Sequence, residues 1–277
     1  MSTKKTIDLY LIKNLSNLHV GRGDSNYGIV DNEVQRDPVQ GVPVIFSSSI
    51  KGALREAVAT ELGPSDPVVL EIFGNEVNGN GNLQPGSHIF HEARLLSMPV
   101  RADTEPYFNA TASSRLQELA ELLKLLTPKA EGITAEVEQA ARIEAESGTP
   151  RTEMEVLVDE FQSTKLSQED KSALNKLAKR KLFSDPVAYF SNKDFNALCE
   201  RLPVIARNQL DKGVSKNLFY EEVVPRQSRF LLFVERPEND KDKLFECLDK
   251  KLNMRVQLGA NATIGYGVCQ FERILLT

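Results

Sequence analysis

Residues 6–13 (TIDLYLIK) place Ile7, Leu9 and Leu11 two apart around Asp8, the alternation of an opening strand. A short apolar segment at 43–46 follows, and Ser47, Ser48 and Ser49 offer N-cap hydroxyls to a helix over 49–62. Its apolar residues Ile50, Ala53, Leu54, Ala57, Val58 and Leu62 recur at helical spacing until Gly63-Pro64 stops it. A second apolar segment spans 67–73, a loop rich in Asn, Gly and Pro spans 75–86, and 87–96 reads as a strand. Residues 115–126 carry Leu116, Leu119, Leu122, Leu123 and Leu126 on one helical stripe. The stretch 129–168 is rich in Glu, Ala and Thr with little periodicity, which predicts an insert, partly helical and mobile; 185–202 reads as helical again. The last third restores the opening pattern: a strand over 229–235 (RFLLFVE), a helix over 241–252, and strands over 254–258 and 268–276 around the turn-rich GANATIGYG.

With the middle set aside, the order is strand–helix–strand, insertions, strand–helix–strand. That is an α+β pattern, the split βαβ plan of ferredoxin-like domains, which RNA-recognition modules also use.

The chain has 277 residues, 41% of them hydrophobic and 26% charged, enough apolar material for a core of ordinary composition. No apolar run approaches the roughly 18 residues that span a bilayer, and the opening MSTKKTIDLY lacks a signal-peptide core, so a membrane partner and export are not expected. Cys199, Cys247 and Cys269 are odd in number and widely spaced, which suits reduced thiols in a cytoplasmic protein.

The net charge of −5 argues at first against a nucleic-acid partner. Its distribution alters that. Residues 117–170 hold 13 acids and 5 bases, a balance of −8, so the remainder sums to +3; residues 201–236, with 7 bases and 4 acids, are +3 by themselves. An acidic insert can sit away from a basic working face, because salt screens exposed charges over roughly 10 Å.

Candidate chemistry begins in residues 19–37, HVGRGDSNYGIVDNEVQRD, where glycines and acids crowd behind a strand. Asp31 on such a rim can act as a base or help hold a hard divalent cation, although by residue type alone a turn or capping aspartate is the commoner role. His19 has the same ambiguity. Lys51 and Arg55 share one helix face and, with Ser48, Ser49 and the first-turn amides, form either a phosphate cradle or a solvated face. The segment 202–226 interleaves Arg207, Lys212, Lys216 and Arg226 with Phe219 and Tyr220 around a predicted hairpin tip at Gly213 and Val214. Such a finger suits RNA, or equally an amphipathic hairpin packed on the body, and Tyr220, Glu221 and Glu222 add possible proton-transfer groups. The loop 259–267 lacks the residues of a nucleotide-binding P-loop or a dinucleotide fingerprint, though its amides could contact a polyanion. His88 and His91, three apart on a predicted strand, face opposite ways and do not form a metal pair.

Taken together and in order, several segments resemble the repeated backbone subunits of type III-B CRISPR effector (Cmr) complexes, members of the RAMP superfamily. They are His19-Val-Gly-x-Gly, Gly28-Ile-Val-Asp31 through Gln35-Arg36-Asp37, and Ser48-Ser-Ile-Lys51-Gly-Ala-Leu-Arg55. Residues 93–101, 202–208, 217–226 and 258–267 (LGANATIGYG) continue the match. The resemblance implies a modified ferredoxin-like (RRM-like) palm from 1–108 and 227–277, a mainly helical insertion over 109–201 and a projecting β-hairpin thumb over 202–226, all in one RAMP domain. It implies copies of the chain stacked in a helical filament along a CRISPR RNA, beside other Cmr subunits, and cleavage of bound target RNA at regular intervals with a divalent metal, Mg²⁺ being the expected ion. Asp31 matches the family's cleavage and metal-binding aspartate, and His19, Tyr220 and Glu221 or Glu222 would lie near it. Lys51 and Arg55 would meet the guide backbone, with Ser48, Ser49, Arg36, Arg207, Lys216, Arg226, Gly265 and Gly267 completing the expected RNA surface. The family's usual proline before the Ser-Ser-Ile-Lys-Gly turn is replaced here by Phe46-Ser47. Two other readings stay open: a non-catalytic structural protomer, and a guide-processing endoribonuclease of the same superfamily.

Overall fold

The computed structural model describes residues 4–23, 29–75, 84–184, 186–212 and 214–276, with only the backbone of 209–211. Asp24, Tyr27, Gly28 and Gly213, together with 76–83 of the predicted 75–86 loop, lie outside the described residues. The chain runs through β1 (Lys5–Asn14), β2 (Val44–Ile45), α1 (Ser47–Leu62), α2 (Pro67–Phe73), β3 (Ile89–Phe90), β4 (Ala93–Val100) and β5 (Phe108–Ala112). It continues through α3 (Ser113–Leu126), α4 (Glu131–Ala141), the short strands β6 (Arg151–Thr152), β7 (Leu157–Val158), β8 (Phe161–Gln162) and β9 (Thr164–Lys165), α5 (Gln168–Lys179), β10 (Val187–Phe190) and α6 (Asn192–Glu200). The hairpin β11 (Val204–Asp211) and β12 (Val214–Glu222) then leads to β13 (Arg229–Pro237), α7 (Lys243–Glu246), β14 (Arg255–Gln257) and β15 (Val268–Ile274).

Leu9 and Leu11 of β1 point to one side of the main sheet and Tyr10 and Ile12 to the other, and all four are buried. In β13 the same holds for Phe230, Leu232 and Val234 against Leu231 and Phe233. Strands apolar on both faces need covering on both faces, so the sheet is the middle layer of three. Ile50, Leu54 and Val58 of α1, with Val69, Ile72 and Phe73 of α2 and Leu244 of α7, fill one core. Leu116, Leu119 and Leu123 of α3, Ile133 and Val137 of α4, and Leu174 and Leu177 of α5 fill the other.

The strands at the heart of the sheet run β15-β1-β13-β4, antiparallel throughout. Tyr10 lies opposite Leu232 on one side and Arg273 on the other. β4 continues the sheet to β5, and β10 then joins β5 in parallel, Val187 opposite Asn109. The residues between β5 and β10 are thus the crossover of a parallel pair as well as a helical cover. β11 and β12 form a separate two-stranded ladder, with Val204, Val214 and Leu218 exposed on it.

Several elements depart from the sequence reading. Residues 67–73 form a helix, because Asp66 accepts the Val68 amide at 2.8 Å as an N-cap and Pro67 occupies the first turn. The strand expected over 87–96 is two strands, broken where the His91 amide turns to the Phe233 carbonyl. The helix expected over 185–202 is β10 followed by α6: the fully buried run Val187–Phe190 pairs with β5, and Ser191 starts the helix by accepting the Asp194 amide. The helix α1 begins at Ser47 with Phe46 in the N-cap position and no side-chain cap, so the serines lie inside its first turn. No helix of the described residues is long and apolar enough to cross a membrane.

Candidate active site at the root of the hairpin

The root end of β12 is gripped from two sides. Leu18 and Val224 exchange backbone hydrogen bonds at 2.9 and 2.8 Å, while the Asp31 and Asn32 amides both donate to the Tyr220 carbonyl at 3.1 Å. The Glu222 amide then donates to the Asn32 carbonyl at 2.9 Å, so residues 31–32 run parallel to the end of β12. Asp31 adds a side-chain contact, its Oδ2 accepting the Tyr220 amide at 2.7 Å. Asp31 is exposed and Tyr220 is 39% exposed, so this carboxylate stands in solvent with its orientation set by backbone.

The two acids next in sequence have a different fate. Glu221 is 4% exposed and Glu222 7% exposed. Oε2 of Glu221 accepts Nε and Nη2 of Arg207 at 3.1 and 2.9 Å, and Asn261 Nδ2 donates to both of its oxygens at 2.9 and 2.8 Å. Arg207 in turn lies 4.5 Å over the Tyr266 ring, a cation–π contact that ties β11 to the glycine-rich loop. Glu222 accepts Arg36 Nη2 on Oε1 and the Val34 amide on Oε2 at 3.1 Å. Buried carboxylates survive only with such partners, and these are fully used.

His19 is also buried. Its Nδ1 lies 2.7 Å from the Glu222 carbonyl, which can only accept, so Nδ1 carries the proton. Nε2 is 3.7 Å from Glu221 Oε1, beyond hydrogen-bond reach, and faces Gly21. Gly259 makes this packing possible: a Cβ there would sit 2.2 Å from the His19 carbonyl oxygen, which instead accepts the Ala260 amide at 2.9 Å. Gly267, buried and at φ +71°, is likewise structural, since a Cβ would meet the Leu258 oxygen at 1.9 Å; Gly265, at φ +82°, is exposed with open space around it.

The remaining sequence candidates divide between surface and scaffold. Arg36 also donates to the carbonyls of Gly41 and Cys199 at 2.6 and 2.9 Å and is built into the fold. Ser49 Oγ accepts Gln35 Nε2 at 2.9 Å, fastening the first turn of α1 to the Asp31 segment, while Ser48 is exposed. Arg55 donates to the Gly74 carbonyl at 3.0 Å and Lys51 is half-buried one turn earlier. Lys216 and Arg226 are exposed at opposite ends of the β12 region. His88 and His91 do not converge: His88 is buried beside Phe90, and His91 Nε2 pairs with Glu235 Oε1 at 3.0 Å. Asn261 is the residue that motif reading passed over; its one signal was an Asn in a glycine-rich turn, and it holds the left-handed φ of 66° that such a turn favours.

Among the described residues no group of three or more His, Cys, Asp or Glu side chains could hold a metal ion. With Glu221 and Glu222 fully partnered, the donor set fits one protein ligand, Asp31, on a hydrated ion otherwise held by water and substrate phosphate, a common arrangement for Mg²⁺.

Comparisons with known proteins find relatives along almost the whole chain. The family model described as the RAMP superfamily matches residues 11–270. The chain is 25% identical over 272 residues to the CRISPR system Cmr endoribonuclease Cmr4 of Pyrococcus furiosus, covering 91% of this chain and 90% of that one. It is also 25% identical over 297 residues to the CRISPR system CMR subunit Cmr4 of Saccharolobus solfataricus, with 95% of each covered. In three dimensions it is similar to a chain of the type III-B Cmr-beta complex bound to cognate target RNA, with a TM-score of 0.78, 20% identity and 97% of both chains covered.

Proposed function

The chain belongs to the RAMP superfamily, and from that premise we propose that it is a guide-RNA-binding backbone subunit of a type III-B CRISPR complex that cleaves bound target RNA. The relatives named as Cmr4, one of them as an endoribonuclease, support this reading over nearly the whole chain. The observation that carries it is the contrast among the described acids at the hairpin root. Glu221 and Glu222 are buried and paired, Glu33 pairs with Arg22, and Asp31 stands exposed with its orientation fixed by the Tyr220 amide.

In this reading the palm is ferredoxin-like, from 1–108 and 227–277, supported by the order β15-β1-β13-β4 with α1 and α7 on one face. The hairpin over 202–226 is a thumb whose exposed Val214 and Leu218 wedge between bases, and 109–201 is the insertion. The unfilled amides at the first turn of α1, with Lys51, receive a guide phosphate. Other copies of the chain extend the filament, and each thumb displaces one base.

Chemistry follows from geometry. A nucleotide splayed by the thumb can bring its 2′-OH in line with the adjacent phosphorus. Asp31 accepts the hydroxyl proton, the 2′-oxygen bonds to phosphorus, and the 5′-oxygen departs and takes a proton from water, so no protein nucleophile is needed. Mg²⁺, when held by Asp31, water and the RNA phosphate, offsets charge on that phosphate. Buried Glu221 and Glu222 shape this site instead of moving protons. The test is reconstitution with the other complex subunits and a guide, followed by mapping of cuts on labelled target RNA. Cuts at one regular interval are expected; intact target in an assembled complex would leave a structural protomer only.

A further inference from the structure

Glu222 and Arg36 form a strut between three parts of the chain, adding a buried side-chain link to the backbone hydrogen bonds that already join residues 31–32 to β12. Glu222 closes β12, two residues after the amide that orients Asp31. Its carboxylate spans to the Val34 amide and to Arg36, three and five residues past Asp31 on the neighbouring segment. Arg36 uses its other terminal nitrogen on the Gly41 and Cys199 carbonyls. The Cys199 carbonyl belongs to the last turn of α6, where carbonyls lack helical partners and the helix dipole favours a cation. The fork geometry of a guanidinium suits this double duty; a single ammonium cannot reach both sides at once.

Resting on the reading of Asp31 as the cleavage carboxylate, we infer that the Arg36–Glu222 pair is a positioning device for it. The pair holds segment 31–36 against β12 and links that register to the end of the insertion. Glu222 touches neither RNA nor the reacting atoms and moves no proton; it acts through Asp31. Arg36 is therefore a scaffold cation and not part of the RNA surface, although its sequence context suggested the latter. The site tolerates little slack, since a displacement of about 1 Å at a reacting group can cost on the order of 100-fold in rate.

The experiment uses the reconstituted complex and compares Glu222→Gln, Arg36→Lys and Asp31→Ala by single-turnover cleavage at saturating target RNA. Target affinity, the pH–rate profile and hydrogen exchange at the Tyr220 amide are measured alongside. Glu222→Gln is expected to slow cleavage on the order of 100-fold. Target affinity stays within about twofold, both limbs of the pH profile remain, and the Tyr220 amide exchanges about tenfold faster as its bond to Asp31 loosens. Arg36→Lys, which keeps the charge and guards against an unfolded Gln variant, is expected to lose about tenfold in rate with the same unchanged affinity. Cleavage at the parent rate in either variant, a lost limb of the pH profile in Glu222→Gln, or unchanged Tyr220 exchange in a slowed variant would each overturn the positioning role. Parent-rate cleavage by Asp31→Ala would instead overturn the catalytic reading beneath it, whatever the other two variants do.

Discussion

Asp31 Oδ2 accepts the backbone amide of Tyr220 at 2.7 Å, so this exposed acid of the hairpin root is aimed by a peptide group and not by a side chain. Backbone aiming makes the direction of the carboxylate independent of what Tyr220 carries. The Tyr220 hydroxyl is a candidate proton donor, but the contact that aims the carboxylate runs through the backbone amide and does not use it. Tyr220→Phe should therefore cleave target RNA within about threefold of the parent in single-turnover assays, whereas a loss of 100-fold or more would assign the hydroxyl an acid–base role.

The Arg207–Glu221 pair joins β11 to β12 at a depth where neither charge can be abandoned cheaply. Glu221 is 4% exposed, and without Arg207 it keeps only Asn261 as a hydrogen-bond donor among the described residues. Arg207→Ala should lower stability by about 3 kcal/mol in urea denaturation, the usual scale for breaking a buried pair from one side. Adding Glu221→Gln should recover part of that loss. A single variant as stable as the parent would show that Glu221 finds water in solution.

Asp194 secures α6, whose far end receives Arg36. Burial pushes its carboxyl up, but the Gly148 amide and the Ser191 and Ser147 hydroxyls more than offset this and hold it below the usual carboxylate range. A depressed folded-state pKa contributes stability that is complete above the unfolded value and lost as pH falls through the folded one. Asp194→Asn should therefore cost about 1 kcal/mol near neutral pH, with the difference from the parent shrinking in acid. A gap in denaturation midpoint that stays constant from neutral to acid pH would contradict this account.

The central strands and the helix beside them were legible in the sequence because their patterns are strongly periodic. Alternation in 6–13, the apolar run in 229–235 and the stripe through Ile50, Leu54 and Val58 all became the elements they predicted. The middle of the chain was less so. Val187–Phe190 is as compatible with a helix as with a strand by periodicity, and only its long-range parallel pairing with β5 decides it. At the candidate site, Asp31 was singled out by its place in an ordered set of motifs, whereas the burial of Glu221, Glu222 and His19 was not legible. Adjacent acids on a strand look equivalent in a sequence; the fold alone distributes Arg207, Asn261 and Arg36 among them.

Under the proposed function, Asp31 is the carboxylate that makes this subunit a nuclease. The decisive comparison is the cleavage pattern of a labelled target RNA in the fully assembled, guide-loaded complex with Mg²⁺, for the parent and Asp31→Ala. The variant is expected to assemble and bind target with unchanged affinity but to lose at least about 100-fold in cleavage rate at every site. Undiminished cleavage at the same regular spacing would contradict it.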